Sequence, residues 1–265
     1  MSRRTLGLPL KLLALFSAVA LSACGGGGGG GGGGSSGDGS GGEATGLETG
    51  VYDMEAQFPD DTSRNDLIGL VGPGDQFIFF DPFAINTRPA LTRVDLEFGA
   101  SRAISGTGVT VAYDGSDWSS DEGGVAGTLN SRENARLRVL ADDSANETVL
   151  DLVRSNEFSD QGLNMAELSA IYTSTGVTFT INGNGDLTGT KVEGNCSFAG
   201  TVTIPNSSVN VYELTFTAGC SSAPELSGQF SGLGTFFPAT DDDAGGILFA
   251  TTDGETVVNF AGSRN

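Results

Sequence analysis

The sequence predicts an all-β body, an antiparallel meander barrel or sandwich reading as two similar halves, set behind a glycine-rich tether. Three observations predict it. Short apolar runs recur at spacings of roughly 8–15 residues, separated by turn residues. Many of the runs alternate apolar and polar residues, the period of a half-buried strand. Asn182-Gly183 stands between two alternating runs, a strong signal for a tight hairpin.

Taken in chain order, Val51–Gln57 opens the body, and Asp66–Val71 and the dense apolar run Gln76–Phe80 follow. Arg93–Phe98 alternates, with Val94, Leu96 and Phe98 on one face. Gly108–Tyr113, Val125–Leu129, Arg136–Leu140 and Thr148–Val153 complete the first half. Asn130 and Glu133 have the spacing of a helix capping box, but no 3.6-residue period follows, so a strand is expected there. The second half reads Ala170–Thr173, Val177–Ile181, Leu187–Lys191, Phe198–Ile204, Val209–Thr217, Leu226–Phe237, Ile247–Thr251 and Thr256–Phe260. Only Asn164–Leu168 reads as a helical turn, capped by Asn164. Gly50-Val51-Tyr52 and Ser169-Ala170-Ile171-Tyr172 open the two halves alike, which points to duplication. The expected segments are 1–23, a signal; 24–49, a tether; 50–160, the first β half; and 161–265, the second. Whether the body forms one barrel or two is open at this level.

The N-terminus reads as an export signal. Arg3, Arg4 and Lys11 flank its start, Leu12 to Leu21 is nearly all apolar, and small residues lead to Cys24. The apolar run is about half the ~20 residues of a membrane-spanning helix. Leu21-Ser22-Ala23-Cys24 resembles the lipobox of bacterial lipoproteins. The resemblance implies cleavage before Cys24, a diacylglyceryl thioether on its sulfur and an acyl group, of the palmitate class, on its new amine. Two or more buried chains anchor stably, at about 0.8 kcal/mol per CH2. Gly25, where an aspartate would favour inner-membrane retention, points to the outer membrane of the cell envelope. Ser2-Arg3-Arg4-Thr5-Leu6 also resembles a twin-arginine signal, so both export routes stay open. Gly25 to Gly34 are ten consecutive glycines, followed by a Gly/Ser/Asp stretch up to Gly50. Such a chain buries no apolar surface; its ~25 residues span roughly 25–30 Å on average. It lacks the strand, helix and Lys-Ser/Thr pair of a phosphate loop.

Charge and cysteines bound the partners. The chain carries 13 basic and 33 acidic residues, net −20. The signal holds three of the bases and no acid, so the mature chain is more acidic still. This surface repels nucleic acid and anionic headgroups. The expected partners are the membrane, through the lipid on Cys24, and an envelope or extracellular partner. Cys196 and Cys220 remain in an exported body and flank two adjacent strands, so a disulfide is the default. Closing a loop of ~25 residues stabilises by roughly 3 kcal/mol.

A longer resemblance covers Leu168 to Phe260. It runs through Val177–Ile181, Gly185–Thr190, Cys196-Ser197-Phe198-Ala199-Gly200-Thr201-Val202, Asn210-Val211-Tyr212, Cys220 and Gly228–Gly234. This module resembles the C-terminal part of a group of uncharacterised proteobacterial β-rich lipoproteins. The paired cysteines and the Asn-Val-Tyr between them are its most specific elements. The resemblance implies a β-rich surface or periplasmic body and transfers no catalytic residue. The Ile181–Thr190 hairpin also resembles the opening hairpin of avidin-type barrels. Those biotin pockets rely on several tryptophans and this body has Trp118 alone, so biotin binding is not expected.

With no histidine in the chain, Ser-His-Asp and Cys-His catalysis and histidine-bound zinc or iron are excluded. The one Gly-x-Ser-x-Gly match, Gly33–Gly37, lies in the tether, away from the strand and helix of a nucleophile elbow. No carboxylate pair stands out for glycoside hydrolysis, and no enzymatic activity is expected. Calcium is the candidate ligand. Asn182, Asn184 and Asp186 alternate like the first ligands of a calcium loop, and Glu193 stands at position twelve, although Leu187 replaces the loop's glycine. Asp241, Asp242 and Asp243 form a second candidate cluster; Asp114, Asp117, Asp121 and Glu122 form a third. Tight turns and solvated acidic loops explain the same residues without a metal. Phe77, Phe79, Phe80, Phe236 and Phe237 are expected to pack a core, with a ligand cavity as the alternative. The function expected is a membrane-anchored structural or interaction module, with contacts from loops such as 114–124 and 239–246. The alternatives are a carrier of a small apolar ligand in a barrel cavity and a calcium-dependent binding protein.

Overall fold

The computed structural model describes residues 46–58, 62–85, 88–140, 147–240 and 244–265. Cys24, the signal, most of the tether and Asp241–Asp243 lie outside the described residues. The body is two closed, eight-stranded antiparallel barrels, each a simple meander. The first contains β1 (Gly50–Gln57), β2 (Ser63–Val71), β3 (Gln76–Phe80), β4 (Ala90–Phe98), β5 (Ala103–Tyr113), β6 (Trp118–Ser131), β7 (Asn134–Leu140) and β8 (Glu147–Arg154). The second contains β9 (Ala170–Ser174), β10 (Val177–Ile181), β11 (Asp186–Lys191), β12 (Cys196–Thr203), β13 (Tyr212–Cys220), β14 (Gly228–Phe237), β15 (Gly246–Thr252) and β16 (Val257–Arg264). Two short helices, α1 (Asn156–Ser159) and α2 (Met165–Leu168), join them.

Every strand expected from the periodicity forms, and β3 and β10 match its bounds. Four segments differ. Asn156–Ser159 forms a second helical turn beside the one expected at Asn164–Leu168. Val209–Val211 precede β13 instead of opening it: the Val209 N–H turns back to the Asn206 carbonyl, the Asn210 N–H goes to Ser159, and the Val209 and Val211 side chains pack in the cluster between the barrels. Leu226 ends a 3-10 turn, and β14 starts at Gly228. The loop expected over 114–124 shrinks to Asp114–Asp117, and Trp118–Gly124 belongs to β6. The α2 turn carries the capping box that Asn164 implied. The Asn164 Oδ1 accepts the Glu167 N–H at 3.0 Å, and the Glu167 carboxylate accepts the Asn164 N–H at 3.1 Å.

Both interiors are packed. In the first barrel Tyr52, Met54, Phe77, Val94, Leu96, Leu137 and Leu152 belong to one buried cluster. In the second, Phe179 sits at the centre of a phenylalanine cluster. Its ring centroid lies 5.0 Å from Phe198, 5.2 Å from Phe249 and 4.9 Å from Phe260. Glycines opposite the rings make room for them, the large-with-small alternation of narrow barrels. A Cβ on Gly234 would lie 2.3 Å from the Tyr212 ring, and one on Gly200 would lie 2.0 Å from the Thr215 carbonyl oxygen.

The two openings are built alike, as the duplicated start suggested. The Tyr52 hydroxyl donates to the Glu48 carbonyl at 2.6 Å, and the Tyr172 hydroxyl to the Leu168 carbonyl at 2.8 Å. Each ties the first strand to the chain four residues upstream. The closures differ. β1 and β8 share six residue pairs, whereas β16 meets β9 only through Ser263↔Thr173 and Arg264↔Tyr172.

Strand alternation also supplies the joint between the barrels. Residues pointing out of one wall meet residues pointing out of the other. Val51, Leu70, Ile78, Phe80, Leu91 and Val111 pack with Val209, Val211, Leu233, Leu248, Ala250 and Val257 in one buried cluster. Phe77 therefore fills a barrel, whereas Phe80 glues two together. Phe237 is part-exposed and lies 5.0 Å from Phe158 across the same joint.

Candidate functional site

The predicted site residues fall at separate places. Cys196 and Cys220 are direct partners on β12 and β13, 4.0 Å apart at Cα, and form a disulfide. The bond staples the hairpin end that carries Val192–Asn195 to the end that carries Ser221–Ser227. Asn195 reinforces it: its side-chain amide donates to the Ser221 hydroxyl at 2.7 Å, and the Ser222 N–H donates to the Gly194 carbonyl at 2.9 Å. Beside the disulfide lies an open depression of about 760 Å3 lined by Thr190, Lys191, Asn195 and Ser197. Lys191, the body's one lysine, is 3.7 Å from Glu193 at this end, and Val192 is 82% exposed there.

The calcium candidates are divided. Asn182, Asn184 and Asp186 form the β10–β11 turn, which satisfies itself. The Asn182 Oδ1 accepts N–H groups of Asn184 at 2.9 Å and Asp186 at 3.0 Å, and its Nδ2 donates to the Asp186 carboxylate at 2.8 Å. Glu193 lies beyond the far end of β11, so the structure does not bring position twelve to the first three. Among the described residues no three His, Cys, Asp or Glu side chains come together to hold a metal ion. No helix among them is long and apolar enough to cross a membrane.

The third acidic cluster lies on the β5–β6 hairpin. Asp114 caps the turn, accepting the N–H groups of Ser116 at 2.7 Å and Asp117 at 3.0 Å. Those donors, that of Asp117 foremost, hold its carboxyl below the usual range. Asp117 stands at the tip, and Asp121 and Glu122 sit within β6, opposite Thr110 and Val109. The rings of the cross-strand pair Tyr113 and Trp118 lie 5.2 Å apart between centroids, tilted by 44°.

A further exposed aromatic was not singled out by its sequence. Phe83 is 80% exposed on the β3–β4 connection. Asp81 holds that turn by accepting the Phe83 N–H at 2.8 Å, and pairs with Arg64 at 2.6 Å. Exposure of a lone aromatic depends on tertiary packing, so periodicity carries no signal for it.

No family model matches the chain, and no curated protein matches it. Among solved structures, Aeromonas veronii immune modulator A is similar over 82% of this chain and 94% of its own. The identity is 12% and the TM-score 0.41, a likeness that carries no argument about activity.

Proposed function

We propose that this protein is a lipid-anchored module of the cell envelope that acts through its outer surface by binding a partner, without catalysis. The observation that carries the surface reading is the filled interior of both barrels, centred on Phe179 in the second and Phe77 in the first. Barrels that carry small apolar ligands keep a cavity along the axis. Here buried side chains pack the interiors, phenylalanine rings in the second barrel and Tyr52, Phe77 and aliphatic residues in the first, so recognition falls to the rims and hairpins. The lack of histidine supports the non-enzymatic reading. The anchor rests on Leu21-Ser22-Ala23-Cys24, and the glycine-rich stretch behind it gives the body reach from the bilayer.

Two measurements on the protein expressed with its signal test the reading. An alkyne palmitate analogue should label the wild-type chain and not Cys24→Ala; equal labelling would overturn the anchor. Native and denaturing mass spectra of the protein should agree once bound detergent and solvent ions are removed. A reproducible extra mass under native conditions would replace the surface reading with a carrier.

A further inference from the structure

We infer that the outer edge of β6 from Trp118 to Glu122, with which no described strand pairs, is a docking edge for an extended basic segment of a partner protein, which adds to the barrel as a further strand. The inference rests on the interaction reading above and names its surface and partner chemistry.

The edge follows from the register. β6 pairs with β5 from Trp118 onward, but β7 reaches it only at Gly124. No described strand pairs with the outer side of Trp118–Gly123. The Tyr113 N–H donates to the Pro89 carbonyl at 3.0 Å, away from β6. Residue pairs in an antiparallel ladder alternate between bonded and non-bonded. Tyr113↔Trp118 is therefore non-bonded, as are Val111↔Ser120 and Val109↔Glu122. The backbone N–H and C=O groups of Trp118, Ser120 and Glu122 thus point to the open side. Three donors and three acceptors in a row are a template for strand addition.

The hairpin that carries the edge is braced. Val111 is fully buried in the joint between the barrels, and Val109 and Trp118 pack against the same cluster. The edge is thus held in place before a partner arrives, which lowers the ordering cost of binding.

Charge selects the partner. Asp121 and Glu122 lie on opposite faces of β6, with Asp117 at the tip, and neither Asp121 nor Glu122 pairs with a described cation. Arg88 acts on Asp114, at the other side of the turn. A strand with lysine or arginine on both faces meets these carboxylates. A second copy of the chain would set Asp121 and Glu122 against their own equivalents, and like charges on facing strands repel.

Trp118 is the only tryptophan in the chain, so its fluorescence reports on this edge directly. The full chain in uncharged detergent is titrated with a capped six-residue peptide, Val-Val-Lys-Lys-Val-Val, whose adjacent lysines fall on opposite faces of a strand, and with its glutamate counterpart. The lysine peptide should shift Trp118 emission and bind less tightly as salt rises, and the glutamate peptide should do neither. Ser120→Pro removes one outward N–H while leaving the β5 ladder, and should weaken binding about tenfold or more, roughly the worth of a hydrogen bond. The double variant Asp121→Lys, Glu122→Lys leaves the backbone edge intact and should exchange the preference to the glutamate peptide. No emission shift, or lysine-peptide binding that survives both sets of changes, would overturn the proposal. So would sedimentation showing a dimer of the wild-type chain that Ser120→Pro dissociates. None of these outcomes touches the palmitate and mass measurements, so this edge can fail while the broader reading stands.

Discussion

The Asn210 N–H donates to the Ser159 carbonyl at 2.8 Å, and through that bond the second barrel holds the helix that leaves the first. The Ser159 hydroxyl in turn accepts the Val51 N–H of β1 at 2.9 Å. On its other side Asn210 is engaged in full. Its amide donates to the Phe236 carbonyl at 2.7 Å and accepts the Phe236 N–H at 3.0 Å, and its carbonyl accepts the Thr235 hydroxyl at 2.8 Å. One buried residue, through its backbone and its side chain, thus closes a chain of bonds from β1 to β14. The Asn-Val-Tyr triplet gains a physical account. Asn210 ties the barrels, Val211 fills the joint and Tyr212 fills the second barrel against Gly234.

Asn210→Ala should therefore destabilise the body by about 2–3 kcal/mol, since it leaves both polar groups of Phe236 buried without a partner. Urea unfolding monitored at Trp118 and by far-ultraviolet dichroism checks it. Coincident transitions in the wild type and separated ones in the variant would show the barrels uncoupling.

Removing the disulfide with Cys196→Ala and Cys220→Ala should cost about 3 kcal/mol, from the entropy regained by the unfolded loop. The two residues are already paired in register and buried, so the fold should persist in mild conditions. The thermal midpoint with and without reductant measures the effect; a midpoint unchanged by reductant would contradict it.

Asn182→Ala should lower stability by roughly 1–2 kcal/mol, because it strips the β10–β11 turn of three hydrogen bonds. The turn reading predicts the same loss with calcium or with a chelator. A loss seen only in the presence of calcium would instead make Asn182 a ligand.

Tyr172 links stability to alkaline pH. Burial pushes its phenol up to about 12 from the ordinary 10.0. The folded state therefore favours the neutral phenol. The resulting contribution is complete below pH 10 and is lost as pH rises from 10 toward 12. Burial also raises Tyr52 and Tyr212, which act in the same direction. Unfolding measured between pH 8 and 11.5 should show a fall above pH 10 that is shallower in Tyr172→Phe. At neutral pH that variant should cost about 1 kcal/mol for the lost bond to Leu168.

Much of this architecture is legible in local pattern. Alternation along Val177–Ile181 and the Asn-Gly turn after it specify a hairpin, because a strand half in water must switch chemistry at every residue. Asn164 and Glu167 announce the single capped turn for an equally local reason. Local pattern misleads where a segment answers to something distant. Val209–Val211 look like the start of β13, yet their apolar side chains face the other barrel. Asp121 and Glu122 look like a loop, yet they lie in β6, paired with Thr110 and Val109 of β5.

The existence of each strand, the Asn-Gly turn and the cysteine pair followed from the order of residues alone, because each is set by contacts close in sequence or by compartment chemistry. Two closed barrels instead of one or of a sandwich, the joint that buries Phe80 and Val211, the separation of Glu193 from Asn182 and the start of β6 at Trp118 came from tertiary structure. Each depends on which outward faces meet and how far each strand runs past its neighbour. A period of two tells the two faces of a strand apart, but it does not say whether a face meets a barrel axis, another barrel or water.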